Sequence, residues 1–232
     1  MYSAQLGVVE TPPVISLREH PAADVRPRGV RVRSLGPLVV SLGRLPLHSL
    51  GGPKAGANQA RGLFAFLYDR GQEGVEKDEA IELIWPDLDL TLADTAFHRT
   101  LLGLRGTLAG GGFGDAIEFR NGRYVLASGL ISWSDTWELE RKIDASATTT
   151  EPRARIELLE ACRQLNRADY MDDCPFFGDS VFVEKRRAML RAVRLAVLVE
   201  LSELYAGAGH RALGAIRAAE ADVVSGELDQ AS

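Results

Sequence analysis

The sequence predicts a mixed fold, in which an α+β N-terminal half is followed by an all-α C-terminal half. Short runs that alternate apolar and polar residues, separated by glycines and prolines, occur between about residues 30 and 126. Apolar residues at helical spacing occur between these runs and again from about residue 152 onward. Alternation is typical of half-buried strands and i, i+3, i+4 spacing of amphipathic helices, so the two halves differ in class.

The N-terminal half begins with a tail and a small sheet. Residues 1–28 contain four prolines and no sustained periodicity, which predicts a flexible tail or linker. From Val30 onward, the runs VRVRSL, LVVSL and LPL are separated by Gly36-Pro37 and by Gly43. This punctuation favours a small antiparallel sheet.

Two helices are predicted after the sheet. Following the loop GGPKAGA, Asn58 is expected to cap a helix, NQARGLFAFLYDR, that ends at Gly71. A shorter helix within VEKDEAIELIWPD should stop at Pro86, because proline cannot continue a helix without losing a backbone hydrogen bond. The outer side of this second helix is acidic, which indicates either a solvated face or a protein-contact surface.

A third helix is predicted over residues 91–108. One apolar stripe should be buried, and it comprises Phe97, Leu101, Leu104 and Leu108. Thr91, with Asp94 three residues later, is expected to cap the start, and the glycines at 110–112 to end the helix. The opposite face carries Thr95, His98, Arg99, Leu102, Gly103 and Gly106.

A hairpin is predicted over residues 117–126. Asn121-Gly122 lies between two strand-like runs, and a type I′ turn needs positive φ at both central positions. Arg120 and Arg123 flank this turn and could contact phosphates, or they could be solvated residues of a hairpin tip. A sheet, three helices and a hairpin within about 100 residues is the order of a winged helix-turn-helix.

Composition narrows the classes of function. Residues 1–134 carry 14 basic and 14 acidic side chains, so the net charge of −5 lies in the C-terminal half. A neutral N-terminal half can bind nucleic acid if its cations share one face. No run of about 18 apolar residues and no secretory leader is present, so we expect a cytoplasmic protein without membrane contact.

The sequence contains no recognisable motif for a metal site or an active site. Cys162 and Cys174 lack metal-ligand spacing and the four histidines are scattered, so we expect no metal and no cofactor. We interpret Cys162 as a core residue and Cys174 as a loop residue. No phosphate-binding loop, nucleophile elbow or paired His-Glu zinc motif occurs, so we expect no enzymatic activity.

Specific motifs resemble one family. SLGPLVV, LFAFLYDRG, ELIWPD with LLGLRGTL, and NGRYVL together resemble the OmpR-type winged helix, and more closely the SARP/AfsR-like transcription regulators of bacteria. ISWSDTWELERKIDAS, with Asp135 and Trp137, is similar to that family's link into a bacterial transcriptional activation domain. The resemblance covers roughly Val30 to Val224 and implies domains at 29–128 (winged helix-turn-helix) and 134–232 (tetratricopeptide-like helices). The second domain is short for the family, which implies either an excerpt of a longer protein or a reduced member.

The family resemblance implies a sequence-specific regulator that binds double-stranded DNA. Helix 91–108 would enter the major groove and wing 117–126 would lie on the backbone. The candidate contacts are Thr95, His98, Arg99, Leu102, Arg105, Arg120 and Arg123. The resemblance also implies contact with RNA polymerase near residues 88–90, and the low basic content favours a homodimer on paired half-sites.

Alternatives remain for the individual residues and for the whole chain. His98 could be solvent-exposed without a task, and Arg105 could pair with a local acid. Leu102, Gly103 and the net charge of −5 favour a second hypothesis, in which a degenerate winged helix and helical hairpins form an interaction or sensory module that does not read DNA.

Overall fold

A computed structural model describes residues 29–51, 56–109, 112–113, 115–174, 176–177 and 181–230. The predicted tail at 1–28, part of the GGPKAGA loop, and Gly110 and Gly111 lie outside the described residues. The fold class is confirmed, because a small sheet and a winged helix precede an all-α region. No helix in the described part of the chain is long and apolar enough to span a bilayer.

The N-terminal sheet has four strands in the order β3-β2-β1-β6. The strands are β1 Val30–Arg33, β2 Val39–Leu42, β3 Leu45–Pro46 and β6 Ile131–Ser134. Strands β1, β2 and β3 pair antiparallel as predicted, but β6 pairs parallel to β1, so the sheet is mixed. Between β3 and β6 the chain passes through three helices and the wing. This long crossover lets β6 add to the sheet beside β1 and parallel to it.

Three helices that pack on one another follow the first three strands. They are α1 Ala57–Arg70, α2 Lys77–Ile84 and α3 Leu90–Ala109. Asn58 is not the cap of α1, because the helix already begins at Ala57 and the capping position is Gly56, which has no side chain. Glu76 and Glu79 form a reciprocal capping box at the start of α2, and the helix ends before Pro86 as predicted.

The wing is a two-stranded hairpin of β4 Ile117–Arg120 and β5 Arg123–Leu126. Asn121 has φ 51° and Gly122 has φ 79°, so both central residues of the turn have the positive φ that was predicted. Tyr124 of β5 also exchanges two backbone hydrogen bonds of 2.9 Å with Val75, which ties the wing to the chain just before α2.

The C-terminal half consists of four helices. They are α4 Asp135–Thr148, α5 Pro152–Leu165, α6 Val181–Gly207 and α7 Arg211–Gln230. Consecutive helices pack on one another, and α7 lies along α6. The all-α class is confirmed, whereas the likeness of these hairpins to tetratricopeptide repeats remains a prediction.

The two halves share one hydrophobic core. Residues 166–174, between α5 and α6, run back over the N-terminal half, where Met171 N–H donates to the Ser34 carbonyl at 2.8 Å. Tyr170, Met171 and Phe177 are fully buried in the same cluster as the strands and α1. The predicted first domain ends at 128, before β6, and the predicted second domain begins at 134, the last residue of β6. This division stays a prediction.

Both cysteines are buried thiols. Cys162 lies in the core, as predicted, and burial raises its pKa to about 11. Cys174 is also buried, and burial raises the pKa of its thiol. Neither thiol is therefore ionised near neutral pH.

Candidate nucleic-acid interface

Helix α3 is held by its apolar stripe. Phe97, Leu101, Leu104 and Leu108 are buried, and the helix packs against α1 and α2. The Phe97 ring meets Trp85 at 6.4 Å and Tyr124 at 5.2 Å, both edge to face. Since Trp85 follows α2 and Tyr124 belongs to the wing, one aromatic cluster fixes α3 relative to both neighbours.

The start of α3 is capped by Asp89 and not by Thr91. The Asp89 carboxylate accepts hydrogen bonds of 3.0 Å from the backbone N–H groups of Thr91 and Leu92. Thr91 already lies inside the helix, where its carbonyl accepts a hydrogen bond from the Thr95 hydroxyl at 3.0 Å. The cap therefore lies two residues earlier than predicted, and its carboxylate also suits the positive end of the helix dipole.

A small ion cluster flanks the first turns of α3. Lys77 Nζ lies 2.7 Å from Asp94 Oδ1, and His98 Nε2 lies 3.7 Å from Asp94 Oδ2. The hydrogen bond from Lys77 lowers the pKa of the Asp94 carboxyl. His98 is thus exposed but has an acidic neighbour one turn away.

The outer face of α3 is uncovered. Thr95, His98, Arg99 and Leu102 are all exposed, and 72% of Leu102 is accessible. Within the described part of the chain, no acidic side chain forms an ion pair with Arg99. This guanidinium is available to an external acceptor, and a guanidinium fork can bond two acceptors on guanine or a phosphate.

Two of the predicted contacts have partners inside the protein. Arg105 donates through Nε at 3.1 Å and through an Nη at 2.8 Å to the carbonyl of Ile117, so it links α3 to the wing. The partner is a backbone carbonyl and not the local acid considered from the sequence. Arg123 forms an ion pair with Glu76 and lies 3.8 Å from Glu79, so it links the wing to α2.

The tip of the wing is apolar as well as basic. Arg120 pairs with Glu118, and its side chain remains half-exposed. Phe119 is 61% exposed, and its ring centroid lies 4.8 Å from that of Tyr124 with the two rings tilted by 49°. Tyr124 in turn contacts Phe97. Sequence analysis missed Phe119 because alternation puts it on the same face as Ile117, which is buried, whereas Phe119 lies nearer the turn and is largely exposed.

A second exposed apolar segment begins just before α3 and continues into its first turn. Leu88, Leu90 and Leu92 are all exposed, and Leu90 is 84% accessible. These side chains flank Asp87 and Asp89, which are also exposed. The described residues contain no cluster of three or more His, Cys, Asp or Glu side chains that could bind a metal ion.

Three helices followed by a β-hairpin, with a helical domain behind them, define the class of this protein as a winged helix-turn-helix joined to an all-α domain. The chain is similar in structure to EmbR from Mycobacterium tuberculosis, solved in complex with a low-affinity phosphopeptide, with a TM-score of 0.53 and 21% sequence identity. The match covers 87% of this chain and 56% of the EmbR chain, and at this identity it concerns the fold alone. Neither the family models nor the curated proteins give a match.

Proposed function

We propose that the protein is a sequence-specific regulator of bacterial transcription that places α3 in the major groove of duplex DNA and the wing on the sugar-phosphate backbone. The observation that carries the proposal is the uncovered outer face of α3, beside a hairpin whose position is fixed against it. The sequence resemblance to SARP/AfsR-like regulators and the EmbR-like fold both support this assignment. The protein would act in the bacterial cytoplasm, where its DNA lies.

The internal contacts divide the candidate residues into two groups. Side chains that face outward would meet the base edges or phosphates, and they are Thr95, His98, Arg99, Leu102 and Arg120. Arg105 and Arg123 are bonded to the Ile117 carbonyl and to Glu76, so they would orient the wing. A correctly oriented wing matters because phosphate contacts set the register of the helix on the duplex.

Fewer observations support the two other proposed partners, RNA polymerase and a second copy of the chain. Leu88, just before α3, and Leu90, its first residue, are exposed, and an apolar patch of this kind suits contact with RNA polymerase. Few cations face outward on α3 and the wing, so the affinity of one copy for DNA should be modest. A homodimer on paired half-sites would compensate, because tethering raises the effective concentration of the second subunit.

The test is fluorescence anisotropy with the full chain and a random-sequence duplex over a range of salt concentrations. We expect binding at low salt that weakens steadily as salt rises. Arg99→Ala should weaken binding about tenfold, as the loss of one guanidinium contact to DNA does. Arg211→Ala is the matched control, because Arg211 is equally exposed but begins α7 in the C-terminal half.

The outcomes separate the proposal from its rivals. Folded protein that binds no duplex even at low salt would overturn DNA binding. If Arg99→Ala and Arg211→Ala weaken duplex binding equally, binding depends only on the total charge of the protein. That result would contradict α3 as the helix that contacts DNA.

A second candidate function is a protein-interaction module. Exposed Leu90, Leu102 and Phe119 favour it, since large apolar side chains in the open commonly mark protein contacts. Under this alternative the same anisotropy experiment gives no binding, whereas a partner would protect α3 and the wing from hydrogen exchange. Duplex DNA that protects these segments would instead favour the first proposal.

A further inference from the structure

The outer stripe of α3 has an unusual chemical character. Thr95, Arg99, Leu102 and Gly106 recur at i, i+4, i+7 and i+11, and all four are exposed. The Thr95 hydroxyl donates back to the carbonyl of Thr91. From its middle to its C-terminal part, this stripe therefore offers one guanidinium, one isobutyl group and one stretch of bare backbone.

Gly106 has no structural reason to be glycine. A Cβ built at this position meets no atom within 4 Å, so packing inside the protein does not require its absence. Gly106 lies inside a 20-residue helix, and glycine at such a position makes the helix less stable than alanine would. Gly106 therefore leaves open space on the outer face of α3, where another molecule could approach the helix backbone closely.

Leu102 supplies the second observation. It is 72% exposed, one turn from Arg99, on a helix whose own apolar stripe is fully buried on the opposite side. Residues 99 and 102 are separated by about 4.5 Å along the helix axis, which is close to the step of about 3.4 Å between base pairs. In the major groove, the 5-methyl group of thymine is the apolar feature that such a side chain can contact.

We propose that α3 reads a guanine and a neighbouring thymine, with Arg99 bonded to the guanine, Leu102 packed on the thymine methyl group, and Gly106 admitting the sugar-phosphate backbone close to the helix. This inference rests on the proposed function and deepens it. Arg99 and its lack of a described acidic partner favour DNA over a protein as the occupant of this face. A protein occupant is one of the outcomes that the test distinguishes.

The first arm of the test removes one methyl group from the DNA. A duplex enriched by the wild-type chain from a random library is prepared with thymidine and again with deoxyuridine at the single thymine that adjoins the selected guanine. Wild type should bind the deoxyuridine duplex about fourfold more weakly, the loss expected for one buried methyl group. Leu102→Ala should bind the thymidine duplex more weakly than wild type does and should not distinguish the two duplexes.

The second arm separates stability from binding. Gly106→Ala should melt at a higher temperature than wild type but bind the enriched duplex at least tenfold more weakly. Gly226→Ala is the matched control: it lies inside α7, and a Cβ there also meets no atom within 4 Å. We expect Gly226→Ala to melt higher as well and to bind as wild type does.

Failure of this inference is distinct from failure of the proposed function. If the wild-type chain enriches no duplex, the proposed function falls and this inference falls with it. If it enriches a duplex but binds the thymidine and deoxyuridine forms equally, or if Gly106→Ala binds as tightly as wild type, DNA binding stands and the reading stripe is overturned. If the chain enriches no duplex and a protein partner protects α3 from hydrogen exchange in wild type but not in Leu102→Ala, the face binds a protein.

Discussion

At the scale of single residues, Asp135 joins the two halves of the chain. Its carboxylate accepts hydrogen bonds from Ser34 N–H at 2.9 and 2.8 Å, from Leu35 N–H at 3.0 Å and from the Ser34 hydroxyl at 3.1 Å. Burial raises the pKa of Asp135 and the hydrogen bonds from Leu35 and Ser34 lower it, with burial the larger effect. As the first residue of α4, this carboxylate also lies at the positive end of the helix dipole.

Asp135→Asn should destabilise the protein by about 2 kcal/mol. The single oxygen of an amide can still accept from the N–H groups of Ser34 and Leu35 while its NH₂ group donates to the Ser34 hydroxyl. The variant nevertheless loses the charge of the carboxylate, and hydrogen bonds to a charged acceptor stabilise more than those to a neutral one. The free energy of unfolding in urea measures the effect. The control is Asp222→Asn, an exposed position on α7 that should change stability by less than about 0.5 kcal/mol. An Asp135→Asn variant as stable as wild type would show that the charge of the carboxylate is not needed.

At the scale of elements, local patterns predicted most of the structure. The third helix was expected at 91–108 and spans Leu90–Ala109, and the Asn121-Gly122 turn has the expected backbone. Strand β6 was not predicted as a strand, because it has four residues and its partner β1 lies about 100 residues earlier. Sequence spacing carries helix periodicity and turn geometry, but it carries no information on such distant pairings.

The candidate site was predictable only in part, for the same physical reason. The exposed face of α3 follows from periodicity, so Thr95, Arg99 and Leu102 could be placed outward. Their charge and their position along the sequence predict Arg105 and Arg123 as DNA contacts. Their partners, the Ile117 carbonyl and Glu76, become neighbours only when the wing folds back on α3 and α2.

The wing should depend on the backbone conformation of its turn. Asn121→Val places a β-branched residue at φ 51°, which costs about 1–2 kcal/mol, whereas Asn121→Gly adopts this conformation freely. For a chain of this length, the valine variant should melt roughly 2–8 °C lower. Its Tyr124 amide, which donates to Val75, should exchange hydrogen faster. Equal melting temperatures for the two variants would refute a strained turn.

At the scale of the whole molecule, the segment of residues 166–174, 176 and 177 links the winged helix to the helical half. Arg187 of α6 is 7% exposed and donates to the carbonyls of Tyr170 at 3.0 Å, Phe177 at 2.9 Å and Met171 at 3.3 Å. The same segment meets the N-terminal half through the hydrogen bond from Met171 to Ser34. One buried guanidinium therefore orders the segment by which α6 reaches the winged helix.

The two halves should consequently unfold together, and Arg187→Ala should destabilise both. Removing the guanidinium leaves carbonyls buried without donors, at an expected cost of about 3 kcal/mol. Hydrogen exchange of peptides from α1 and α6, followed at increasing urea, should give one common unfolding free energy in wild type and one common lower value in the variant. Arg153→Ala, at a highly exposed position on α5, should leave both unchanged. Separate values for α1 and α6 in wild type, or a loss confined to α6 in Arg187→Ala, would mean that the shared core does not couple the DNA-facing half to the helical half.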